Sequence, residues 1–246
     1  MKVQINADDF GNDENRTLAI VEAWRMGFLT STTLMANCAW AERAMQLARE
    51  NGFLERVGLH LNLTEGRPLT ERIRHEPLLC DEDGTFNARF HLSSRTRLFL
   101  PRSASEAIAE ECEAQVRRFL SLGGVYLHLD SHHHVHTDFS VARVVFPIIR
   151  RFGFRSVRKS RTLATTLTPF KRVYKLLFNL YAQVAVGTET DDFTDFPGFV
   201  AEYSKRYSDW AVEIMVHPLY DGEGTLVDVA EPIVNERTFL MEKEVV

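Results

Sequence analysis

The sequence predicts an α/β protein built on a mostly parallel β-sheet, and three observations support this class. Short apolar segments typical of strands alternate with longer segments typical of helices, as crossover connections require. The 246 residues include 45% hydrophobic and 26% charged residues, ordinary usage for a globular protein with a large core. Side chains suited to metal binding and proton transfer follow several predicted strands, where parallel α/β folds place their chemistry.

The first part of the chain alternates regularly between the two kinds of segment. In order, we predict strand Val3–Ala7, helix Thr17–Met26, strand Thr30–Ala36, helix Trp40–Asn51 and strand Val57–Leu63. Asn12, Asp13 or Asn15 could cap the first helix. Residues 64–103 then break the rhythm with several glycines and prolines. We interpret them as an inserted loop region after the third strand, of the kind that often covers a binding site.

The second part of the chain resumes the alternation. We predict helix Ser105–Leu122, strand Val125–Leu129, helix Phe139–Phe152, strand Arg155–Arg158, a helical segment Phe170–Val186 and strand Val212–Val216. The pair Gly123–Gly124 ends the first of these helices. Residues 1–246 are interpreted as one domain, without internal repeats.

Charge and cysteine content exclude several classes of protein. The formal net charge of −5 gives no general attraction to nucleic acid or to anionic membranes. Lysines and arginines do cluster from Arg150 to Lys175; we interpret this as a solvated surface, with a rim for an anionic or polar ligand as the alternative. Three distant cysteines favour neither a disulfide framework nor a cysteine zinc site. Without an apolar leader or an 18-residue apolar run, we expect a cytoplasmic location.

Five of the nine histidines fall between His128 and His136. A fortuitous histidine-rich turn is one explanation, but this cluster lies between a predicted strand and a predicted helix rather than in a polar tail. Adjacent residues project in different directions, so we expect one or two of the five to bind an ion. The others would position substrate or orient a ligand through their second ring nitrogen, a role that also suits Asp130.

Three further features lie at or near predicted strand ends. Asp8 and Asp9 follow the first strand, where adjacent carboxylates repel each other unless a cation intervenes; a helix-capping turn is the alternative. His60 interrupts an apolar strand and is either a buried, hydrogen-bonded histidine or a ligand. His217 precedes Pro218 at the end of the last strand. Two imidazoles and a carboxylate with open positions form a hydrolytic metal site, beside which another carboxylate and histidine can transfer protons.

Five stretches of the sequence resemble the YdjC/ChbG family of carbohydrate deacetylases. They are Asn6–Gly11, Thr30–Asn37, Gly58–Leu69, His128–His136 and Met215–Pro218, in the order found in the family and spread over most of the chain. The resemblance implies a distorted (β/α) barrel. It also implies hydrolysis of the acetamide group of N-acetylated amino sugars, typically chito-oligosaccharides.

Matched by motif, the resemblance implies that Asp9, His60 and His132 bind one divalent metal ion. It makes Asp8 the general base, which takes a proton from a metal-activated water, and His217 the general acid. The family is reported with magnesium or zinc. Two imidazole ligands favour zinc or another transition metal over magnesium. Zinc and magnesium both stay candidates for the native ion.

Two other functions stay open beside the deacetylase. One is a metal-dependent phosphoesterase or amidohydrolase acting on a non-sugar substrate, although a phosphoesterase would more often use two metals. The other is a catalytically silent sugar- or metal-binding protein, which Asp8 argues against because binding alone needs no base. The expected partner is a small acetylated sugar, with neither nucleic acid nor membrane. The apolar residues in 159–186 leave a homodimer open.

Overall fold

A seven-stranded parallel β-sheet forms the centre of the protein and curls into a half-barrel. The computed structural model describes residues 1–161, 168–202 and 209–243. The strands are β1 (Lys2–Phe10), β2 (Ser31–Leu34), β3 (Val57–Leu61), β4 (His128–Ser131), β5 (Ser156–Val157), β6 (Asp192–Asp195) and β7 (Ala211–Val216). Their spatial order is β5-β4-β3-β2-β1-β7-β6, and each neighbouring pair is parallel. The predicted α/β class is therefore confirmed.

Helices connect and flank these strands. They are α1 (Glu14–Arg25), α2 (Ala41–Glu50), α3 (Glu71–Arg74), α4 (Arg89–Leu92), α5 (Ser94–Leu98), α6 (Arg102–Ser121), α7 (Phe139–Arg151), α8 (Pro169–Ala185), α9 (Phe196–Glu202) and α10 (Ile233–Glu242). Asp13, one of the three predicted caps, begins α1 by accepting a hydrogen bond from the backbone N–H of Arg16 at 2.8 Å. No helix among the described residues combines the length and the apolar composition needed to cross a membrane.

A second, antiparallel sheet follows β7. It consists of β8 (Pro218–Tyr220), β9 (Leu226–Asp228) and β10 (Glu231–Pro232), and β8 packs against α1. These strands were not predicted from the sequence, since two or three residues are too few to show an alternating pattern. β6, α9 and α10 were not predicted either.

The predicted elements are otherwise present with shifted ends. β1 continues to Phe10, so the prediction that Asp8 and Asp9 follow the strand was wrong; they lie inside it. β4 begins at His128 rather than at Val125, whose side chain is exposed. The insertion after the third strand is confirmed: residues 64–103 contain the short helices α3, α4 and α5 and the first residues of α6.

Side chains on the two faces of the parallel sheet differ in character. Residues such as Ile5, Leu59 and Ile214 are fully buried in the hydrophobic core. The alternate positions carry buried polar groups: Asn6, Asp8, Thr33, His60, Asp130 and Glu213. Because successive strand residues point to opposite faces, these groups share one face. His60 lies beside Asp130 in the register of β3 and β4, so the sheet itself brings chemically active side chains together.

Candidate metal centre and active site

Asp9, His60 and His132 meet at the C-terminal edge of the parallel sheet. Oδ1 of Asp9 lies 2.8 Å from Nδ1 of His132 and 3.2 Å from Nε2 of His60. All three residues are buried, and each offers one donor atom within 4.8 Å of the others. Donor atoms bound to one tetrahedral zinc ion lie about 3.3 Å apart. The carboxylate and two imidazoles therefore fit a single divalent ion.

The backbone of β1 explains how adjacent aspartates can serve one site. The register between β1 and β2 shifts between Ala7 and Phe10, and Asp9 has a φ of 66°. A bulge of this kind interrupts the alternation of side chains along a strand, and Asp tolerates a positive φ better than most residues. Asp8 and Asp9 can thus both reach the polar groups of the site.

The second nitrogen of each imidazole is held by another carboxylate. Nδ1 of His60 lies 2.7 Å from Oδ1 of Asp130, and Nε2 of His132 lies 2.8 Å from Oε2 of Glu65. A carboxylate accepts a proton-bearing nitrogen, so it leaves the other ring nitrogen free to bind an ion. Asp130 thus lies where the sequence analysis expected an outer partner. It is fully buried, whereas the Glu65 side chain is 53% exposed.

Charge within this group is strongly coupled. Burial alone would raise the pKa of Asp9, but hydrogen bonds to His132 and His60 hold it well below its usual range. Burial opposes a charge on His60, but the charge and hydrogen bond of Asp130 and the hydrogen bond of Asp9 raise its pKa to about 10. A proton therefore binds tightly where a divalent ion would also bind, and the two compete.

Arg158 and Asp8 form a buried ion pair next to Asp9, His60 and His132, which are called the metal triad below. Nη1 and Nη2 of Arg158 donate to the two carboxylate oxygens of Asp8, each at 2.7 Å, and Asn6 donates to the same carboxylate at 2.9 Å. Arg158 also pairs with Asp130 and Glu213, each at 2.7 Å. The interpretation of the basic segment as solvated surface was wrong for Arg158, which is 1% exposed, because three carboxylates hold it inside.

Asp8 lies close enough to the triad to take part in its chemistry. Its carboxylate, a ring nitrogen of His60 and a carboxylate oxygen of Asp130 lie within 4.8 Å of one another. The bidentate contact with Arg158 fixes the carboxylate plane. Ionised carboxylates have about four acceptor positions, so Asp8 can still accept a further hydrogen bond.

His217 lies between β7 and β8 and is half-buried. Its backbone N–H donates to Oδ1 of Asp228 at 2.6 Å. Burial raises the pKa of Asp228, against the hydrogen bond and charge of His217, and the charge of Asp8 adds to the increase. The charges of His217 and Asp8 therefore both act on Asp228. In the described part of the chain, the His217 ring makes no hydrogen bond to the metal triad.

The remaining histidines of the cluster have other contacts. His128 lies 2.8 Å from the Ser156 hydroxyl, and His136 lies between the Ser131 hydroxyl and the backbone oxygen of Arg158. His133 and His134 both have left-handed backbones, with φ values of 52° and 56°, which form the turn after β4. Only one of the five histidines, His132, is in the triad, within the one or two expected.

Several residues of the site were not predicted from the sequence. Arg158 lies just after β5, the same strand-end signal that identified the aspartates, but a lone arginine in a basic segment gave no reason to expect burial. Glu65 lies in the insertion, whose path the residue pattern does not predict. Thr33, which donates to Oδ2 of Asp130 at 2.9 Å, is an ordinary strand residue in sequence.

Known proteins resemble this chain in sequence, and a solved structure resembles it in fold. Two carbohydrate deacetylases are each 33% identical: that of Clostridium beijerinckii over 100% of this chain and 94% of its own length, and that of Brevibacillus brevis over 92% and 84%. A crystal structure from Enterococcus faecalis, provisionally described as a cellobiose-phosphate cleavage protein, has a TM-score of 0.71 at 24% identity and covers 99% of this chain and 92% of its own; this likeness supports the fold. A family model described as YdjC-like protein matches residues 2–246, and this chain belongs to that family.

Proposed function

We propose that this protein is a metal-dependent carbohydrate deacetylase that removes the N-acetyl group from acetylated amino sugars or chito-oligosaccharides. Family membership and two nearly full-length relatives that are carbohydrate deacetylases make it a hydrolase of the amide bond. The observation that carries the metal-dependent mechanism is the convergence of Asp9, His60 and His132, with Asp8 beside them. The cytoplasmic location expected from the sequence stays a prediction.

Asp9, His60 and His132 would hold one divalent ion. When bound, such an ion polarises a carbonyl oxygen and lowers the pKa of a water molecule. Asp9 supplies a negative charge, and the two imidazoles supply neutral nitrogen ligands whose orientation Asp130 and Glu65 fix. This donor set favours zinc over magnesium, which prefers oxygen ligands.

Asp8 would act as the general base. Arg158 and Asn6 hold its carboxylate in one orientation, so the base is positioned before the substrate arrives. Asp8 takes a proton from the water that attacks the acetyl carbon. His217 then donates a proton to the sugar nitrogen as the carbon–nitrogen bond breaks, and acetate and the free amine leave.

Acetate release tests the proposed reaction. The chelated protein is incubated with N-acetylglucosamine oligomers, with zinc or magnesium added back, and acetate is measured. A phosphate monoester and an acetylated non-sugar amide serve as comparison substrates. We expect ion-dependent acetate release from the oligomers; turnover of either comparison substrate alone would contradict the sugar assignment.

Substitutions test the roles of single residues. Asp8→Asn should retain the ion yet lose turnover, and full activity would remove Asp8 from its role. His132→Ala should lose the ion by elemental analysis. His133→Ala is the matched control, since this exposed neighbour lies outside the triad and should retain the ion. Unchanged ion content in His132→Ala would reject His132 as a ligand.

A further inference from the structure

Arg16 carries a buried hydrogen-bond donor beside the metal triad that has no acceptor. It lies in the first turn of α1, and its Nε atom is 3.9 Å from Oδ2 of Asp9, which is too far for a hydrogen bond. This Nε atom is shielded from solvent and has no hydrogen-bond partner in the described part of the chain. A charged donor that is buried without an acceptor is costly, so this atom is placed to bind a ligand.

Asp13 holds the Arg16 guanidinium in this place. Oδ2 of Asp13 accepts a hydrogen bond from Nη1 of Arg16 at 2.5 Å, and Oδ1 accepts one from the Arg16 backbone N–H at 2.8 Å. Burial opposes a charge on Arg16, but the hydrogen bond and charge of Asp13, together with the charges of Asp9 and Glu65, raise its pKa. Arg16 is therefore a positioned cation that stays protonated.

Arg16 lies on the side of the metal triad that is open to solvent. The side chains of Arg16 and Glu65 are 38% and 53% exposed, and the charge of Glu65 acts on Arg16. By contrast, Asp8 and Arg158 are almost fully buried and offer no entrance. A substrate therefore reaches the triad past Arg16 and Glu65.

The two carboxylate oxygens of Asp9 face different partners. Oδ1 lies 3.2 Å from His60 and 2.8 Å from His132, whereas Oδ2 faces Arg16. A group held between the triad and Arg16 would therefore meet a guanidinium donor. When an acetamide is hydrolysed, its acetyl group must occupy this region, because water attacks the acetyl carbon and negative charge develops on the acetyl oxygen. Charged donors stabilise such an oxygen more than neutral donors do.

We propose, on the basis of the deacetylase function proposed above, that Arg16 is a further catalytic residue that donates a hydrogen bond from Nε to an oxygen of the acetyl group. The water oxygen bonds to the acetyl carbon as Asp8 takes one proton, and the carbon–nitrogen bond breaks as His217 protonates the nitrogen. The acetic acid formed then gives its remaining proton to the amine and becomes acetate. Arg16 keeps its own proton throughout. It stabilises the negative oxygen during attack and binds the acetate until it leaves.

Acetate binding tests this contact without turnover. The zinc-loaded protein is titrated with acetate, and binding is followed by NMR of the acetate methyl group. Acetate should bind Arg16→Gln at least tenfold more weakly than the wild type. Arg25→Gln is the matched control, since Arg25 lies on the same helix with a 59% exposed side chain, and it should bind acetate as the wild type does. No acetate binding by the wild type, or equal affinity in Arg16→Gln, would overturn the proposal.

Zinc titration separates this role from simple support of the metal triad. Removing a positive charge near Asp9 should leave zinc binding in Arg16→Gln as tight as in the wild type or tighter, because like charges repel. Weaker zinc binding would show that Arg16 only positions Asp9, and the proposal would then be wrong. Circular dichroism checks that the variant is folded.

Steady-state kinetics with an N-acetylated sugar that the wild type hydrolyses provide a third measurement. In Arg16→Gln, kcat should fall about 100-fold while KM changes less than threefold, because the contact strengthens as charge develops. Arg16→Lys, which keeps the charge but not the Nε donor, should recover only part of kcat. A raised KM at unchanged kcat would place Arg16 on a sugar hydroxyl and overturn the proposal. If the wild type hydrolyses no acetylated sugar, the proposed function fails, and the acetate and zinc titrations still decide whether Arg16 binds a carboxylate beside the triad.

Discussion

Arg158 binds both carboxylate oxygens of Asp8 while its Nη2 atom also lies 2.7 Å from Asp130. One guanidinium therefore contacts both the proposed base and the carboxylate that orients His60. The base and the metal site share a common positioning group, although the two aspartates belong to different strands. Disturbing this cation should affect both parts of the site at once.

Arg158→Met should destabilise the fold strongly. The variant keeps much of the side-chain volume but leaves Asp8, Asp130 and Glu213 without their buried cation, and breaking buried pairs of this kind typically costs about 3–5 kcal/mol. Chemical unfolding would measure the loss. Arg161→Met is the control, because the Arg161–Asp195 pair is partly exposed and should contribute less than about 1 kcal/mol. Equal losses of stability in the two variants would contradict the proposed contribution of the buried Arg158 ion pairs.

Asp130→Asn should weaken binding of a divalent ion about 10- to 100-fold, as the loss of outer-shell partners commonly does. The amide no longer favours the His60 tautomer whose Nε2 faces Asp9. Titration calorimetry with zinc would measure the affinity. Glu65→Gln should have a smaller effect on His132, because Glu65 is half-exposed and water can take its place. If Glu65→Gln lowered the zinc affinity as much as Asp130→Asn or more, the buried carboxylate would not be the more important of the two for ion binding.

Binding of an ion should release a proton from the site. Because the pKa of His60 is raised to about 10, the ion-free protein holds this imidazole protonated at neutral pH, and the ion must displace the proton. Apparent affinity should therefore fall roughly tenfold for each pH unit below that pKa. Calorimetry in two buffers of different ionisation enthalpy counts the protons. No proton release near pH 7.5 would show that His60 is neutral before the ion binds.

Glu236→Gln should stabilise the protein at alkaline pH. Glu236 on α10 is buried with Oε2 unpartnered, and burial, aided by the charges of Asp228 and Glu231, raises its pKa to about 9. The pKa of Glu236 in the folded protein lies above that of an unfolded glutamate, which is about 4.3. The protonated carboxyl therefore contributes its full stabilisation below about pH 4.3, and this contribution is lost as the pH rises towards 9.

The stability difference should therefore depend on pH. Glu236→Gln should gain on the order of 2 kcal/mol over the wild type at pH 8, and the gain should shrink towards pH 4.5. Urea unfolding at both pH values measures it. Glu242→Gln, exposed on the same helix, should change little at either pH. A gain for Glu236→Gln that is equal at both values would mean that the carboxyl is not protonated in the fold.

The sequence predicted those parts of the site that depend on local pattern and on parallel topology. Asp9 and His60 lie in the last residues of β1 and β3, and His132 directly follows β4. Parallel strands bring their C-terminal ends to one edge. Contacts that depend on the curvature of the sheet could not be predicted in this way. Asp8 and Arg158 are 150 residues apart, and nothing in either local segment specifies their pairing.

Loops and very short strands account for most of the other differences. Glu65 reaches His132 because of the path taken by the start of the insertion, and that path has no periodic pattern. The antiparallel strands β8 and β9 have only three residues each, which is below the length at which alternation becomes visible. Side chains in regular elements were therefore easier to predict than those in connections.

The left-handed backbone at Asp9 restricts how this centre could be redesigned or could diverge. A β-branched or bulky residue at this φ would be strained, whereas Asn or Gly would be accommodated. Converting position 9 into a longer carboxylate or a thiolate, to change the preferred ion, would require rebuilding the bulge as well. Asn is the informative exchange there, since it removes a ligand charge without disturbing the chain path.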